Sequence, residues 1–82
     1  MIVSYTLARV LPAQDKAVYE ELKALDVVKK VVLAYGVYDM MITIETDNIE
    51  ELEHIIFNKI RKIEGIVSTT TLIGAEKKEW AG

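Results

Sequence analysis

The residues best suited to contact a small molecule lie in one short connection of the 82-residue chain. Gly36 is followed by Val37, Tyr38 and Asp39, so a glycine, a phenol and a carboxylate lie close together. Glycine lets a ligand approach backbone amides closely, and an aspartate accepts a hydrogen bond from an ammonium group. Gly and Asp are equally ordinary in turns, and Tyr is ordinary in strands. The pattern alone leaves a ligand site and a simple turn both open.

A second group of polar side chains lies near the end of the chain, in the stretch Ser68-Thr69-Thr70-Thr71. Alternation along a strand places Thr69 and Thr71 on one face, and Ser68 and Thr70 on the other. Small-molecule sites combine a few polar groups with an apolar wall, which suits either pair. Threonine is also a favoured strand residue, so a purely structural role stays open here too.

Catalytic and metal-binding chemistry has few candidates. The chain has no Cys and a single His, so it offers no thiolate ligand and no nucleophilic thiol. His54 has no acidic or nucleophilic partner close in sequence, and we interpret it as a solvated helix residue. No glycine-rich phosphate loop or metal-ligand cluster appears. We expect no catalytic residue, no metal and no cofactor.

The composition favours a small cytoplasmic subunit that associates with other copies. A chain of this length forms one domain with a marginal core, and it has no disulfide to stabilise it. Its 51% apolar content exceeds what so small a monomer easily buries. The net charge of −3 argues against direct binding of nucleic acid. No signal sequence or membrane-spanning run is evident, so we expect no membrane contact.

The predicted elements follow the order βαββαβ. β-Branched and aromatic runs predict strands at 2–10, 27–35, 38–46 and 66–73, with only Gly36 and Val37 joining the middle two. Apolar residues at a helical period predict helices at 13–25 and 49–63. Asn48 and its neighbours supply capping groups before the second helix, and Gly65 follows its end.

This order predicts an α+β, ferredoxin-like fold: a four-stranded antiparallel sheet with both helices on one face. Met40, Ile42 and Ile44 alternate with Met41, Thr43 and Glu45, so one set can meet the helices while the other faces away. The second set is partly apolar. We therefore expect a second subunit to cover the open face, so that the protein dimerises through the sheet.

The segments 34–39, 46–52 and 60–71 together resemble the effector domain, called RAM, of Lrp/AsnC-family regulators. The matching pattern is a strand ending in G-x-(Y/F)-D, an aspartate-led helix, and an I-x-x-(I/L)-x-G-(V/I)-x-x-T-x-T turn and strand. The likeness covers residues 2–74, which predicts a domain at 1–74 and a polar tail at 75–82 that contains Trp80. Family members usually carry an N-terminal helix-turn-helix domain, so this chain resembles a stand-alone form.

The resemblance implies an effector-binding module linked to the regulation of amino acid metabolism. It implies sheet-to-sheet dimers, a higher oligomer such as an octamer-like ring, and amino-acid effectors bound between dimers. A full-length Lrp/AsnC-type regulator is a further implied partner. The ligand-binding residues carried over from the family motifs are Gly36, Val37, Tyr38, Asp39, Thr69 and Thr71.

Two other functions stay open. A small enzyme of the dimeric α/β-barrel type, with oxygenase or isomerase chemistry, shares the predicted fold. An assembly partner of full-length regulators that binds no ligand would use the hairpin only for subunit packing. The shortage of acid and base candidates argues against the enzyme.

Overall fold

The strands and helices alternate as the sequence predicts. The computed structural model describes residues 1–74, and the predicted tail with Trp80 lies outside the described residues. The strands are β1 (Ile2–Val10), β2 (Val28–Leu33), β3 (Met40–Thr46) and β4 (Ile66–Ile73). The helices are α1 (Asp15–Lys23) and α2 (Ile49–Ile55), and α2 continues into a π-helical turn at Ile56–Ile60.

The strands form a four-stranded sheet in the order β2-β3-β1-β4. Each neighbouring pair is antiparallel, so β1 and β3 are central and β2 and β4 are the edges. Thr6 in β1 pairs with Ile42 on one side and with Thr71 on the other. Directly paired residues share a face, so this row fixes which side chains point toward the helices. The predicted α+β, βαββαβ fold is confirmed.

The core lies between one face of the sheet and the two helices. Met40, Ile42 and Ile44 are each 0% exposed, while Met41 and Thr43 between them are half-buried. The alternation predicted for this strand is therefore confirmed. The helices contribute the buried side chains of Val18, Leu22, Leu52, Ile56, Ile60 and Ile63.

The first helix is shorter than predicted. The sequence indicates helix from 13 to 25, whereas α1 spans Asp15–Lys23. Ala13 has a φ of +68°, a left-handed conformation that no α-helix contains. The amide of Gln14 instead donates to the carbonyl of Leu11 (3.1 Å), so Pro12 and Ala13 form a turn. Pro12 therefore opens this turn and not the helix.

The second helix begins where predicted but does not remain α-helical to residue 63. Asn48 Oδ1 accepts from the Glu51 amide (2.8 Å), and Glu51 Oε1 accepts from the Asp47 amide (2.7 Å). These reciprocal bonds resemble a capping box and satisfy amides at the helix start. Further along, the Arg61 amide donates to the carbonyl of Ile56 (2.9 Å), which widens one turn. The spacing of the apolar residues in this segment is compatible with both an α-helical and a π-helical turn.

The connection between β2 and β3 is longer than the predicted two residues. Strand pairing ends at Leu33 opposite Met40, so the connection spans 34–39. The Ala34 amide donates to the carbonyl of Asp39 (2.8 Å), which closes the base of this loop. Gly36 has a φ of +118°, which favours glycine. The hairpin is confirmed. The predicted strand ends at residues 35 and 38 are wrong, because the hydrogen bond between Ala34 and Asp39 closes the loop before the chain reaches them.

Candidate functional site

Asp39 binds the end of β1. Its carboxylate Oδ2 accepts from the Val10 amide (2.8 Å), and its own amide donates to the Ala8 carbonyl (2.9 Å). The pairing of β1 with β4 shifts register between Arg9 and Val10, and the carboxylate satisfies a backbone donor beside this irregularity. Asp39 therefore holds the hairpin loop against the sheet, whatever else it binds.

The tip of the same loop is exposed among the described residues, 1–74. Tyr35 is fully exposed and Val37 is 74% exposed. Nothing lies within 4 Å of where a Cβ on Gly36 would stand, so glycine is needed there for its backbone conformation and not for space. Tyr38 turns back, and its hydroxyl lies 3.2 Å from Thr70 Oγ1. A ligand or a second protein can reach the tip without displacing any of residues 1–74.

Thr69 and Thr71 line a groove between α2 and the edge strand β4. The groove has a volume of about 340 Å³. Thr71 Oγ1 lies 2.9 Å from Thr6 Oγ1, and Thr6 is completely buried, so this hydroxyl pair joins the groove to the core. The apolar lining residues are Ile49, Leu52, Ile56, Phe57 and Ile73. We call this the α2–β4 groove.

Charged groups of both signs line the α2–β4 groove. Glu53 and Arg61 are both exposed, and the Arg61 guanidinium lies 5.1 Å from the centre of the Phe57 ring. Such stacking orients a guanidinium while leaving its N–H groups free to bind a carboxylate. The groove thus combines apolar walls, two hydroxyls, a cation and a carboxylate, which together match a zwitterion with an apolar side chain.

Sequence reasoning did not identify the α2 side of this groove. Ile49, Glu53, Phe57 and Arg61 recur at intervals of four and therefore lie along one side of the helix. That spacing is visible in the sequence. It does not say which strand the helix side lies beside, since this depends on the packing of α2 over β4.

The structure does not gather the six predicted ligand residues into one cavity within a protomer. Thr69 and Thr71 line the α2–β4 groove, while Asp39 lines a separate hollow of about 270 Å³ beside Pro12 and Asp15. Tyr38 contacts Thr70, whose side chain points to the opposite face of β4 from Thr69 and Thr71. Gly36 and Val37 are at the exposed hairpin tip.

The open face of the sheet carries apolar side chains in paired positions. Tyr5 pairs with Leu72, which is 55% exposed, and Leu7 pairs with Met41. These residues alternate with the buried row that faces the helices, and nothing within residues 1–74 covers them fully. This is the partly apolar second face that the sequence predicts.

Among the described residues, His54 has an amide neighbour and no acidic or nucleophilic hydrogen-bond partner. Its ring Nδ1 lies 3.0 Å from the Asn58 amide nitrogen, one turn along the same helix. Both side chains are exposed, and an amide supplies neither a nucleophile nor a base. Among residues 1–74, no group of three or more His, Asp or Glu side chains is placed to hold a metal ion. No helix in the same range is long and apolar enough to cross a bilayer.

Comparison with known proteins identifies the family to which this fold belongs. The family model described as the Lrp/AsnC ligand binding domain matches residues 2–78. An uncharacterised HTH-type transcriptional regulator of Pyrococcus horikoshii, PH0140, is 34% identical over 79 residues, which cover 96% of this chain and 50% of that protein. The chain therefore spans about half the length of the curated relatives it matches.

Two solved structures support the same assignment. The hypothetical protein PHS023 of Pyrococcus horikoshii is 33% identical with a TM-score of 0.86, and the match covers 92% of this chain and 90% of that one. The AsnC protein of E. coli is 27% identical with a TM-score of 0.86, over 99% of this chain and 55% of that one. The chain belongs to the family of Lrp/AsnC ligand-binding domains.

Proposed function

We propose that the chain binds an amino acid or a related small metabolite and that it assembles with further copies of itself through its open sheet face. The observation that carries this proposal is the α2–β4 groove, found in a chain of the Lrp/AsnC ligand-binding family. The relatives are transcriptional regulators, so the proposed binding serves control of gene expression and not catalysis.

The groove suits a small zwitterion. Arg61 is the partner for a carboxylate, and Glu53 is the partner for an ammonium group. Thr69 and Thr71 offer hydroxyls at the strand side, and the apolar walls receive the side chain. A volume of about 340 Å³ is near the small end of ligand pockets, so a single amino acid fits better than a peptide.

The predicted hairpin residues enter this site from a second copy. Gly36 and Val37 present backbone groups at an exposed tip, and Tyr38 and Asp39 follow at its base. In one protomer Asp39 and the two threonines Thr69 and Thr71 line different hollows, and the proposed ligand touches both groups at a contact between copies. This arrangement makes ligand affinity depend on assembly and assembly depend on ligand, because such coupling is reciprocal.

Dimerisation through the open face gives the half-exposed apolar side chains a partner. Tyr5, Leu7, Met41 and Leu72 lie in neighbouring paired positions, so a second sheet can cover them together. We further propose a higher oligomer such as a ring, a cytoplasmic location, and association with a full-length Lrp/AsnC-type regulator. With a net charge of −3 the chain itself has no electrostatic attraction for DNA.

A thermal-shift scan against the twenty amino acids tests the ligand. At a concentration one hundred times its Kd, a ligand adds about 2.7 kcal/mol to the stability of the folded state, so a true effector raises Tm measurably. Thr69→Val, which removes one groove hydroxyl at nearly constant volume, should weaken the shift. Ser68→Ala is the matched control, because Ser68 is exposed on the opposite face of the same strand.

The scan also separates the proposal from its rivals. Stabilisation by one or a few amino acids that Thr69→Val diminishes supports the site. Absence of any shift among all twenty, in a protein that still forms oligomers, contradicts the effector proposal and favours an assembly partner that binds no ligand.

A further inference from the structure

A buried hydroxyl lies directly behind one polar wall of the α2–β4 groove. Thr6, in the central strand β1, is 0% exposed, and its Oγ1 lies 2.9 Å from the Oγ1 of Thr71 on the edge strand β4. Thr71 is half-buried and lines the groove. The two residues are directly paired across the sheet, and completely buried Ile42 is paired with Thr6 on its other side. A chain of two hydroxyls therefore leads from the core to the groove.

The hydroxyl of Thr6 has one hydrogen-bond partner in the described part of the chain. Of its neighbours on the same face of β1, Ala8 has no polar side-chain atom, and Ser4 Oγ donates to the carbonyl of Ile44 (3.4 Å). The remaining neighbour is Thr71, which is the partner. A hydroxyl carries one hydrogen, and a buried donor without an acceptor loses its bond to water with no replacement. The hydrogen of Thr6 therefore points to Thr71.

This direction decides what Thr71 offers to the groove. Since Thr71 Oγ1 accepts from Thr6, its own hydrogen is free to point into the groove. In the opposite arrangement the hydrogen of Thr71 would be used on Thr6, and the groove would meet only oxygen lone pairs. A hydroxyl that accepts one hydrogen bond is also a better donor for the next, because the two bonds polarise one another. Thr71 thus presents a hydrogen-bond donor to the groove.

We propose that Thr6 is a positioning residue for the α2–β4 groove: by donating to Thr71, it keeps the Thr71 hydroxyl as a donor for the carboxylate of the ligand. A carboxylate only accepts hydrogen bonds, and an ammonium group only donates them. The Arg61 guanidinium is also a donor, so Glu53 is left for the ammonium group. The orientation of the carboxylate rests on the proposed function, since it needs an amino acid in the groove. The direction of the hydroxyl pair does not depend on a ligand.

NMR of the unmodified protein without amino acid tests the direction of the hydroxyl pair. A buried, hydrogen-bonded hydrogen exchanges slowly with water, so the hydroxyl hydrogen of Thr6 should give an observable resonance. The hydroxyl hydrogen of Thr71 should exchange too fast to observe, because it faces the groove. A protected hydrogen on Thr71, or fast exchange at both hydroxyls, overturns the proposal. This measurement is independent of the amino-acid scan.

Calorimetric titration with each of the twenty amino acids tests the effect on binding. Thr6→Val removes the buried hydroxyl at nearly constant volume and should raise Kd about threefold or more, the loss expected for one hydrogen bond. The same change in a Thr71→Val background should leave Kd unchanged, because Thr6 acts only through Thr71. Equal weakening in both backgrounds, or an unchanged Kd in Thr6→Val alone, overturns the positioning role. If none of the twenty binds, the proposed function fails and the carboxylate orientation fails with it.

Two further variants separate positioning from stability. Thr6→Ser keeps the hydroxyl but loses a buried methyl group, so it should lower Tm and leave Kd near the wild-type value. Ser4→Ala removes another completely buried hydroxyl of β1, one that bonds to a backbone carbonyl and not to a groove residue, and it should also leave Kd unchanged. Thermal unfolding verifies that each variant folds. A Kd that rises with the loss of Tm across all the variants contradicts the positioning role.

Discussion

The two faces of the sheet differ in what covers them, although the same strands build both. Ile42 and Ile44 face the helices and are completely buried, while Leu72 on the other face is more than half exposed. The alternation of side chains along each strand supplies both rows. Within residues 1–74 the core therefore lies on one side of the sheet only, and the apolar side chains of the other face stay accessible.

The covered face also buries polar side chains. The covered face includes Ser4 and Thr6, both fully buried and both hydrogen-bonded. Thr6 pairs with Thr71, so the hydrogen bonding of the covered face continues into the α2–β4 groove. The groove is thus an extension of the covered face at the edge of the sheet, where α2 does not reach over β4 completely.

The largest expected effect is on the covered face. Ile42→Ala should lower the free energy of unfolding by about 2–5 kcal/mol, because it leaves a cavity in a completely buried site. Urea denaturation measures the loss. Met41→Ala, at the neighbouring position on the open face, is the comparison: its cost should be smaller and should depend on protein concentration. If both variants lose the same free energy of unfolding at every protein concentration, the distinction between the two faces is contradicted.

The next effect is on the open face. Leu72→Asp should cost about 2–3 kcal/mol of dimerisation free energy, because it buries a charge without a partner between two sheets. Light scattering should then report a larger fraction of the 9.3 kDa monomer. Val67→Asp serves as the control, since Val67 is exposed on the same strand. If Leu72→Asp retains the wild-type mass, the open face is not the dimer interface.

A smaller effect is expected at the hairpin, which belongs to neither face. Asp39→Ala should lower stability by about 1–3 kcal/mol, because the Val10 amide loses its acceptor. Asp39→Asn keeps an oxygen at that position and should cost less. Chemical denaturation of both variants measures the difference, and equal losses would show that this hydrogen bond is not what Asp39 contributes.

Much of the fold follows from local sequence pattern. Alternation in β3 identifies the buried row, and the helical period places Leu52, Ile56 and Ile60 in the core. The sequence predicts too short a hairpin connection, because Gly36 favours a tight turn. Its real ends depend on bonds from Asp39 to Ala34 and to β1, which are contacts that no local pattern specifies.

The candidate site was less predictable than the fold. Alternation correctly pairs Thr69 with Thr71, and both line one groove. Their separation from Asp39 follows from the strand order, which inserts β1 between β3 and β4. Phe57 and Arg61 line the groove because of the way α2 packs beside β4. The helical period alone does not predict this packing.

The central claim is that a second copy completes both the open face and the ligand site. Sedimentation of the unmodified protein across the micromolar range, with and without the amino acid that raises Tm, tests it most directly. The account predicts dimers or larger species without ligand and a change in their distribution when ligand is added. A 9.3 kDa monomer at all concentrations that still binds the amino acid would contradict it.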